Sequence, residues 1–143
     1  MQDEKNQIDS IKRYERHLEI TAGWLMQSIA KGKGGSCAHY SPLMGWSKPY
    51  PETTGYLIPT LIRVSKFLNE KKYSDSALSI GQWLLDIQSH DGSWHGGLHP
   101  SKSPEGSVFN TGQILKGMMA LFHFTGDKTF LTAADRALSL IHI

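Results

Sequence analysis

The feature that most constrains this chain is a junction that occurs twice, 57 residues apart. Residues 50–56 read Tyr-Pro-Glu-Thr-Thr-Gly-Tyr, and residues 109–113 read Phe-Asn-Thr-Gly-Gln. Each junction ends a polar loop and opens an apolar run. From the junction onward, the pairs that are identical in this register are Thr54/Thr111, Gly55/Gly112, Phe67/Phe124, Lys71/Lys128 and Ala77/Ala134. A repeat of this length is explained by two helices and one long loop, so we predict an all-α fold of antiparallel helical hairpins.

Apolar spacing and capping residues predict five helices. Asp9 is the expected N-cap of the first, and Pro59 lies inside the second, where it predicts a kink or a late start. The predicted helices are residues 9–31, 52–69, 74–89, 111–124 and a fifth from about 129.

The predicted connections alternate between long loops and short turns. Long loops cover residues 32–51 and 90–110, so both lie at one end of the helical array. Long loops on a rigid scaffold commonly carry function. The helix N-termini at this end also project backbone N–H groups and partial positive charge. We therefore expect the functional site at this end.

Composition narrows the class of protein. A formal charge of +2 without a basic run argues against nucleic-acid binding. The single Cys37 excludes an intramolecular disulfide, and residues 1–7 lack the apolar core of a secretory signal. No apolar run approaches the ~20 residues of a membrane span. We expect a soluble, cytoplasmic protein that requires no cofactor.

Two segments resemble a known superfamily. Residues 84–94, Leu-Leu-Asp-Ile-Gln-Ser-His-Asp-Gly-Ser-Trp, resemble the Gln…Gly-x-Trp repeat of terpenoid cyclases, which are α/α toroids. Residues 46–56 and 108–113 resemble α/α-toroid proteins linked to bacterial polysaccharide metabolism, which are related in architecture to six-hairpin glycosidases. The resemblance covers most of residues 15–137 and implies one partial α/α-toroid domain.

The resemblance also implies an activity. It favours a carbohydrate-active protein that hydrolyses, eliminates or epimerises units of a polysaccharide or oligosaccharide. One alternative is a terpenoid-cyclase or prenyltransferase-like enzyme, although the Asp-x-Asp-Asp acid motif of the cyclases is absent from these 143 residues. Another alternative is a non-catalytic scaffold that binds glycan or protein.

The last six residues, 138–143, read Leu-Ser-Leu-Ile-His-Ile. One reading frame of a common transposase sequencing adapter encodes the same residues. We therefore suspect an adapter scar, and such scars are excluded from fold reasoning. On this interpretation the chain is an N-terminal fragment whose natural sequence continues beyond Ala137.

The candidate catalytic residues are Glu52, Asp91 and His95. Glu52 opens a helix on the expected site, where a carboxylate acts in acid–base chemistry or simply complements the helix N-terminus. Asp91 precedes a glycine and is equally a turn residue. The pKa of an unperturbed histidine, near 6.5, suits His95 to proton transfer at neutral pH. His90, His95 and His99 match no compact zinc motif, so we predict no metal site.

The candidate substrate-binding residues are aromatic or amide side chains near the two junctions. Aromatic rings with a polar edge stack on sugars, but they also pack loops onto helix ends. For Trp94 the structural role in the Gln/Trp clamp is the leading interpretation. Asn110 is also interpreted as a helix cap. The set is Trp46, Tyr50, Tyr56, Trp94, Asn110 and Gln113.

Overall fold

The structure is a computed structural model that describes residues 2–141, and the side chains of residues 4–139. Five helices make up 68% of the chain, which confirms the all-α class. The elements are α1 (Gln2–Gly32), β1 (Tyr40–Ser41), β2 (Gly45–Trp46), α2 (Pro51–Leu68), α3 (Lys71–Asp86), α4 (Val108–Thr125) and α5 (Lys128–Ile141). Residues 142 and 143 of the suspected adapter segment lie outside the described residues.

The helical hairpins repeat in three dimensions with the period of the sequence. Helices α2 and α4 both contain 18 residues, and their starts at residues 51 and 108 differ by 57. The starts of α3 and α5, at residues 71 and 128, differ by the same 57. Asn69 and Gly126 follow α2 and α4 in the left-handed conformation, which allows a short turn into the next helix.

Several helix boundaries differ from those predicted. Helix α4 begins three residues early because Ser107, rather than Asn110 or Thr111, is its N-cap; the Ser107 hydroxyl accepts the N–H of Asn110. Helix α3 occupies residues 71–86 instead of 74–89, since extended Glu70 lets the helix start at once. Helix α1 begins by residue 2, seven residues before the predicted start. Helix α2 is continuous through Pro59.

The first long loop contains a structure that was not predicted. Strands β1 and β2 form a two-residue antiparallel hairpin in which Tyr40 pairs with Trp46. Its tip carries Leu43 and Met44, which are 94% and 86% exposed. The periodicity analysis did not detect it because two-residue strands are too short to show alternation.

Helices α2 and α4 lie side by side and run parallel. Contacts occur in the same order along both helices: Asn110 bonds Glu52 near the start, and Lys66 lies 5.8 Å from the Phe124 ring near the end. Helices α3 and α5 return antiparallel, each packing against the helix before it. The core between them includes Ile58, Leu61, Ile114, Met118 and Leu121, all with 0% exposure. No helix in the described chain is long and apolar enough to cross a membrane.

Glycine allows the close approach of α2 and α4. A Cβ atom on Gly117 would lie 2.7 Å from the carbonyl oxygen of Gly55, and one on Gly55 would lie 2.8 Å from the Cα of Ile114. Both distances fall inside van der Waals contact and involve backbone atoms. The two helices therefore meet backbone to backbone at Gly55 in the second turn of α2 and at Ile114 and Gly117 in the second and third turns of α4.

We expect Gly117→Ala to lower the free energy of unfolding by about 2 kcal/mol, because the methyl group must push the helices apart. Chemical denaturation monitored by circular dichroism measures this change. The matched control is Gly23→Ala on α1, where an added Cβ meets nothing within 4 Å. That control should raise stability by up to about 1 kcal/mol from helix propensity alone. Equal effects of the two substitutions would contradict the packing account.

Candidate functional site

The repeated threonines attach each long loop to the helix that follows it. Thr54 Oγ1 accepts the N–H of Ser36 at 2.9 Å, and Thr111 Oγ1 accepts the N–H of Trp94 at 3.0 Å. The carbonyls of Ser36 and Trp94 in turn accept the backbone N–H groups of Tyr50 and Ser107, both at 2.9 Å. The same two hydrogen bonds therefore close the first loop (residues 33–50) and the second loop (residues 87–107). All four threonine and loop partner residues are buried.

The two loops also contact each other. The N–H of His99 donates to the carbonyl of Pro49 at 2.8 Å. Trp83 of α3 packs against both loops. A Cβ atom added to Gly34 or Gly35 of the first loop would lie 2.3 or 2.4 Å from its indole ring. The His99 ring of the second loop makes an edge-to-face contact with the same indole, with the ring centroids 5.3 Å apart. The first and second loops thus form one continuous surface, which we call the loop face, at the N-terminal ends of α2 and α4. Both long loops therefore lie at the same end of the helices, as predicted from their alternation with short turns; that this end carries the functional site stays a prediction.

Asn110 joins the two junctions at the loop face. Its Nδ2 donates to Glu52 Oε2 and to the hydroxyl of Tyr50, both at 3.1 Å. Its Oδ1 accepts the Ser107 hydroxyl at 2.7 Å, which sets the orientation of the amide. Asn110 is only 6% exposed, whereas Glu52 and Tyr50 are partly exposed. A buried, fully bonded amide therefore holds one carboxylate and one phenol at the surface.

His95 and His99 form a hydrogen-bonded pair in the second loop. His95 Nδ1 lies 3.0 Å from the carbonyl of Gly96, and its Nε2 lies 2.9 Å from His99 Nδ1. A carbonyl only accepts, so neutral His95 carries its proton on Nδ1 and His99 donates from Nδ1. The Nε2 of His99 is then the free basic nitrogen of the pair. Burial lowers the pKa of His99, and the nearby His95 lowers it further, which favours the neutral form.

A cavity of about 400 Å³ opens beside this pair. Its walls come from both loops, the end of α1 and α3. Trp46 lines it and packs against Trp24 at 4.9 Å and Tyr40 at 5.2 Å between ring centroids. Trp46 is partly exposed, whereas Trp24 and Tyr40 are 47% and 50% exposed. The predicted aromatic platform at Trp46 thus has a ring accessible from a cavity.

Two of the predicted site residues form hydrogen bonds that support the local structure. Trp94 has 0% exposure, and its Nε1 donates to the Leu84 carbonyl at 2.7 Å, so no ligand reaches its ring. Asp91 closes a turn: its Oδ1 accepts the N–H and the hydroxyl of Ser93 at 2.9 and 2.7 Å. These bonds lower the pKa of Asp91 and engage one of its two carboxylate oxygens, while the residue stays exposed. Trp94 therefore has the packing role that leads among its interpretations from sequence, and the catalytic role of Asp91 stays a prediction.

The other two predicted residues lie apart from the Asn110 cluster. Tyr56 is 41% exposed and lines a separate cavity of about 260 Å³ together with Cys37 and Trp24. Gln113 accepts a hydrogen bond from Lys116 at 2.8 Å on α4. Within the described part of the chain, no group of three His, Cys, Asp or Glu side chains is placed to hold a metal ion.

Comparison with known proteins supplies no relative. No protein-family model matches the chain, and neither a curated protein nor a solved structure is significantly similar to it. The function must therefore be argued from the geometry of the loop face.

Sequence reasoning missed three contributors to this site. The sequence singles out His99 only as a possible metal ligand, because residue spacing within a loop does not reveal that it pairs with His95. Ser107 was missed because the start of α4 was placed three residues late. Trp24 reaches the loop face from α1, and no local pattern connects it to Trp46.

The lowered pKa of His99 makes the stability of the protein depend on pH. The folded state binds fewer protons than the unfolded state between the lowered pKa and the ordinary value near 6.5. Protonation of His99 in the unfolded state therefore lowers the free energy of unfolding as the pH falls through that interval. Above the ordinary pKa both states are neutral at His99, and this loss of stability is absent. We expect the melting temperature to drop between about pH 7.5 and about pH 5, and to drop less in His99→Gln.

Thermal melts at both pH values measure this difference. His123→Gln, at an exposed position near the end of α4, is the matched control and should leave the drop unchanged. An equal drop in His99→Gln and in the unsubstituted protein would refute the assignment of the effect to His99.

Proposed function

We propose that this chain is part of an α/α toroid and acts on a polysaccharide or oligosaccharide by acid–base chemistry at the loop face. The parallel arrangement of α2 and α4, with α3 and α5 returning outside them, supports the toroid: inner helices with their N-termini at one end are what such a ring requires. The observation that carries the function is the Glu52–Asn110–Tyr50 cluster beside the His95–His99 pair.

In this proposal Glu52 is the principal proton-transfer group. Asn110 holds its carboxylate in the first turn of α2, at the loop face. Tyr50 presents a hydroxyl to the same amide and binds a sugar hydroxyl or a leaving oxygen. His99, positioned by His95, provides a second base through its free Nε2.

The geometry favours proton transfer over two-carboxylate hydrolysis. Glycosidases face two carboxyl groups across about 5–10 Å. Here the hydrogen-bond partner of Glu52 is a neutral amide, and Asp91 is engaged in its own turn. Among the three reactions implied by the resemblance, elimination and epimerisation need one base and one acid. A carboxylate, a phenol and an imidazole meet that requirement.

Two further observations bear on the alternatives. The cavity beside Trp46 is lined by lysines and a histidine as well as aromatic rings, which suits a hydroxylated ligand better than the hydrocarbon of a terpenoid cyclase. The non-catalytic scaffold is the second candidate function. The strongly exposed Leu43 and Met44 at the hairpin tip favour it, because such side chains mark binding surfaces.

The test is incubation of the purified chain with a panel of neutral, acidic and amino-sugar oligosaccharides. Reducing ends report hydrolysis, ultraviolet absorbance of the unsaturated product reports elimination, and solvent deuterium incorporation reports epimerisation. Glu52→Gln should reduce the rate at least ~100-fold, the range for loss of a general acid or base.

The matched control is Glu105→Gln. Glu105 is an exposed carboxylate of the second loop, so its loss should leave the rate unchanged. Turnover of no member of the panel, or full activity in Glu52→Gln, would contradict the proposed catalysis.

A further inference from the structure

The cavity of about 400 Å³ at the loop face is lined by positively charged side chains that have no role in the proposed proton transfer. Lys31 at the end of α1, Lys33 just after it and Lys48 of the first loop all line it. No Asp or Glu is among the lining residues. Three cationic side chains therefore surround one small cavity without an acidic group to balance them.

These lysines have no partners elsewhere. In the part of the chain that the structure describes, none of the three forms an ion pair or a side-chain hydrogen bond; the ion pairs between lysine and acidic side chains lie within residues 70–75. All three residues are exposed, so their ammonium groups can reach a ligand in the cavity. Clustered unpaired cations raise the local potential, which attracts an anion.

Lys33 supplies a second, independent observation. Its φ of 52° lies in the left-handed region, which favours glycine, and it stands among Gly32, Gly34 and Gly35. A glycine would adopt this conformation without strain. A left-handed residue commonly ends a helix, as Asn69 does after α2, so the conformation of Lys33 terminates α1. Lysine at a position that suits glycine better places a cation in the wall of the cavity.

The remaining walls suit a sugar ring. Trp46 and Trp83 provide indole surfaces, and His99 provides a polar edge. Trp46 lies in the same loop as Tyr50, and His99 bonds the backbone of Pro49, so the cavity adjoins the Glu52 cluster. We propose that this cavity is a subsite for an anionic saccharide unit, whose ring packs on Trp46 and whose carboxylate or sulfate is bound by Lys31, Lys33 and Lys48.

This inference rests on the proposed function for the saccharide, and on the lysines for the negative charge. The two are separated by isothermal titration calorimetry with three probes: trigalacturonate, its methyl ester and inorganic sulfate. The ester keeps the sugar rings and removes the charge. We expect trigalacturonate to bind at least about fivefold more tightly than the ester, and the difference to vanish at about 1 M salt.

The decisive variant is Lys33→Gly, which removes the charge and also relieves the left-handed strain. It should therefore keep or raise the melting temperature while trigalacturonate binding falls about fivefold. Asn69→Gly is the first control, because it replaces another left-handed residue by glycine at a position away from the cavity. Lys12→Gln on α1 is the second control, because it removes a lysine charge that does not line the cavity. Both should bind as the unsubstituted chain does.

The outcomes are distinct. Equal binding of the acid and the ester overturns the anionic subsite but leaves saccharide binding intact. Sulfate that competes as well as trigalacturonate at equal ionic strength overturns the saccharide part, and absence of binding by all three probes overturns the inference entirely. Charge-dependent binding without turnover in the activity panel supports the subsite while the proposed catalysis fails.

Discussion

The contact on which the loop face depends is the backbone approach of α2 and α4 at Gly55 and Gly117. Because the helices are parallel and touch in their N-terminal halves, their N-termini lie side by side. Glu52 and Asn110, 58 residues apart in the chain, then come within hydrogen-bond distance. A side chain larger than hydrogen at either glycine separates the helices and with them the two halves of the site.

The residues that are identical in the two copies of the repeat hold the scaffold together, whereas the candidate catalytic residues occur in one copy only. Thr54 and Thr111 are identical and make equivalent bonds to the loops before them. The chemical groups do not repeat: Glu52 stands where the second copy has Phe109, and Tyr50 where it has Ser107. A twofold scaffold therefore carries a site that is not symmetric. This pattern is expected when structure is duplicated and function is placed on the loops.

The parts of the fold that follow from local periodicity were predictable. The 57-residue register located both hairpins, and the alternation of loop lengths placed both loops at one end. The individual site residues were less predictable, because Asp91 and Trp94 are bonded locally in ways that only coordinates reveal. Lys33 and His99 were missed for a similar reason. Their significance comes from what surrounds them across the loop face, which sequence spacing does not report.

Hydrogen–deuterium exchange with and without trigalacturonate tests the central claim, that both long loops build one saccharide site. Backbone amides in residues 36–50 and 95–107 should become protected together, whereas the short turns at the opposite end of the helices, residues 69–70 and 126–127, should be unaffected. Protection of one loop alone, or protection confined to another part of the chain, would contradict the account.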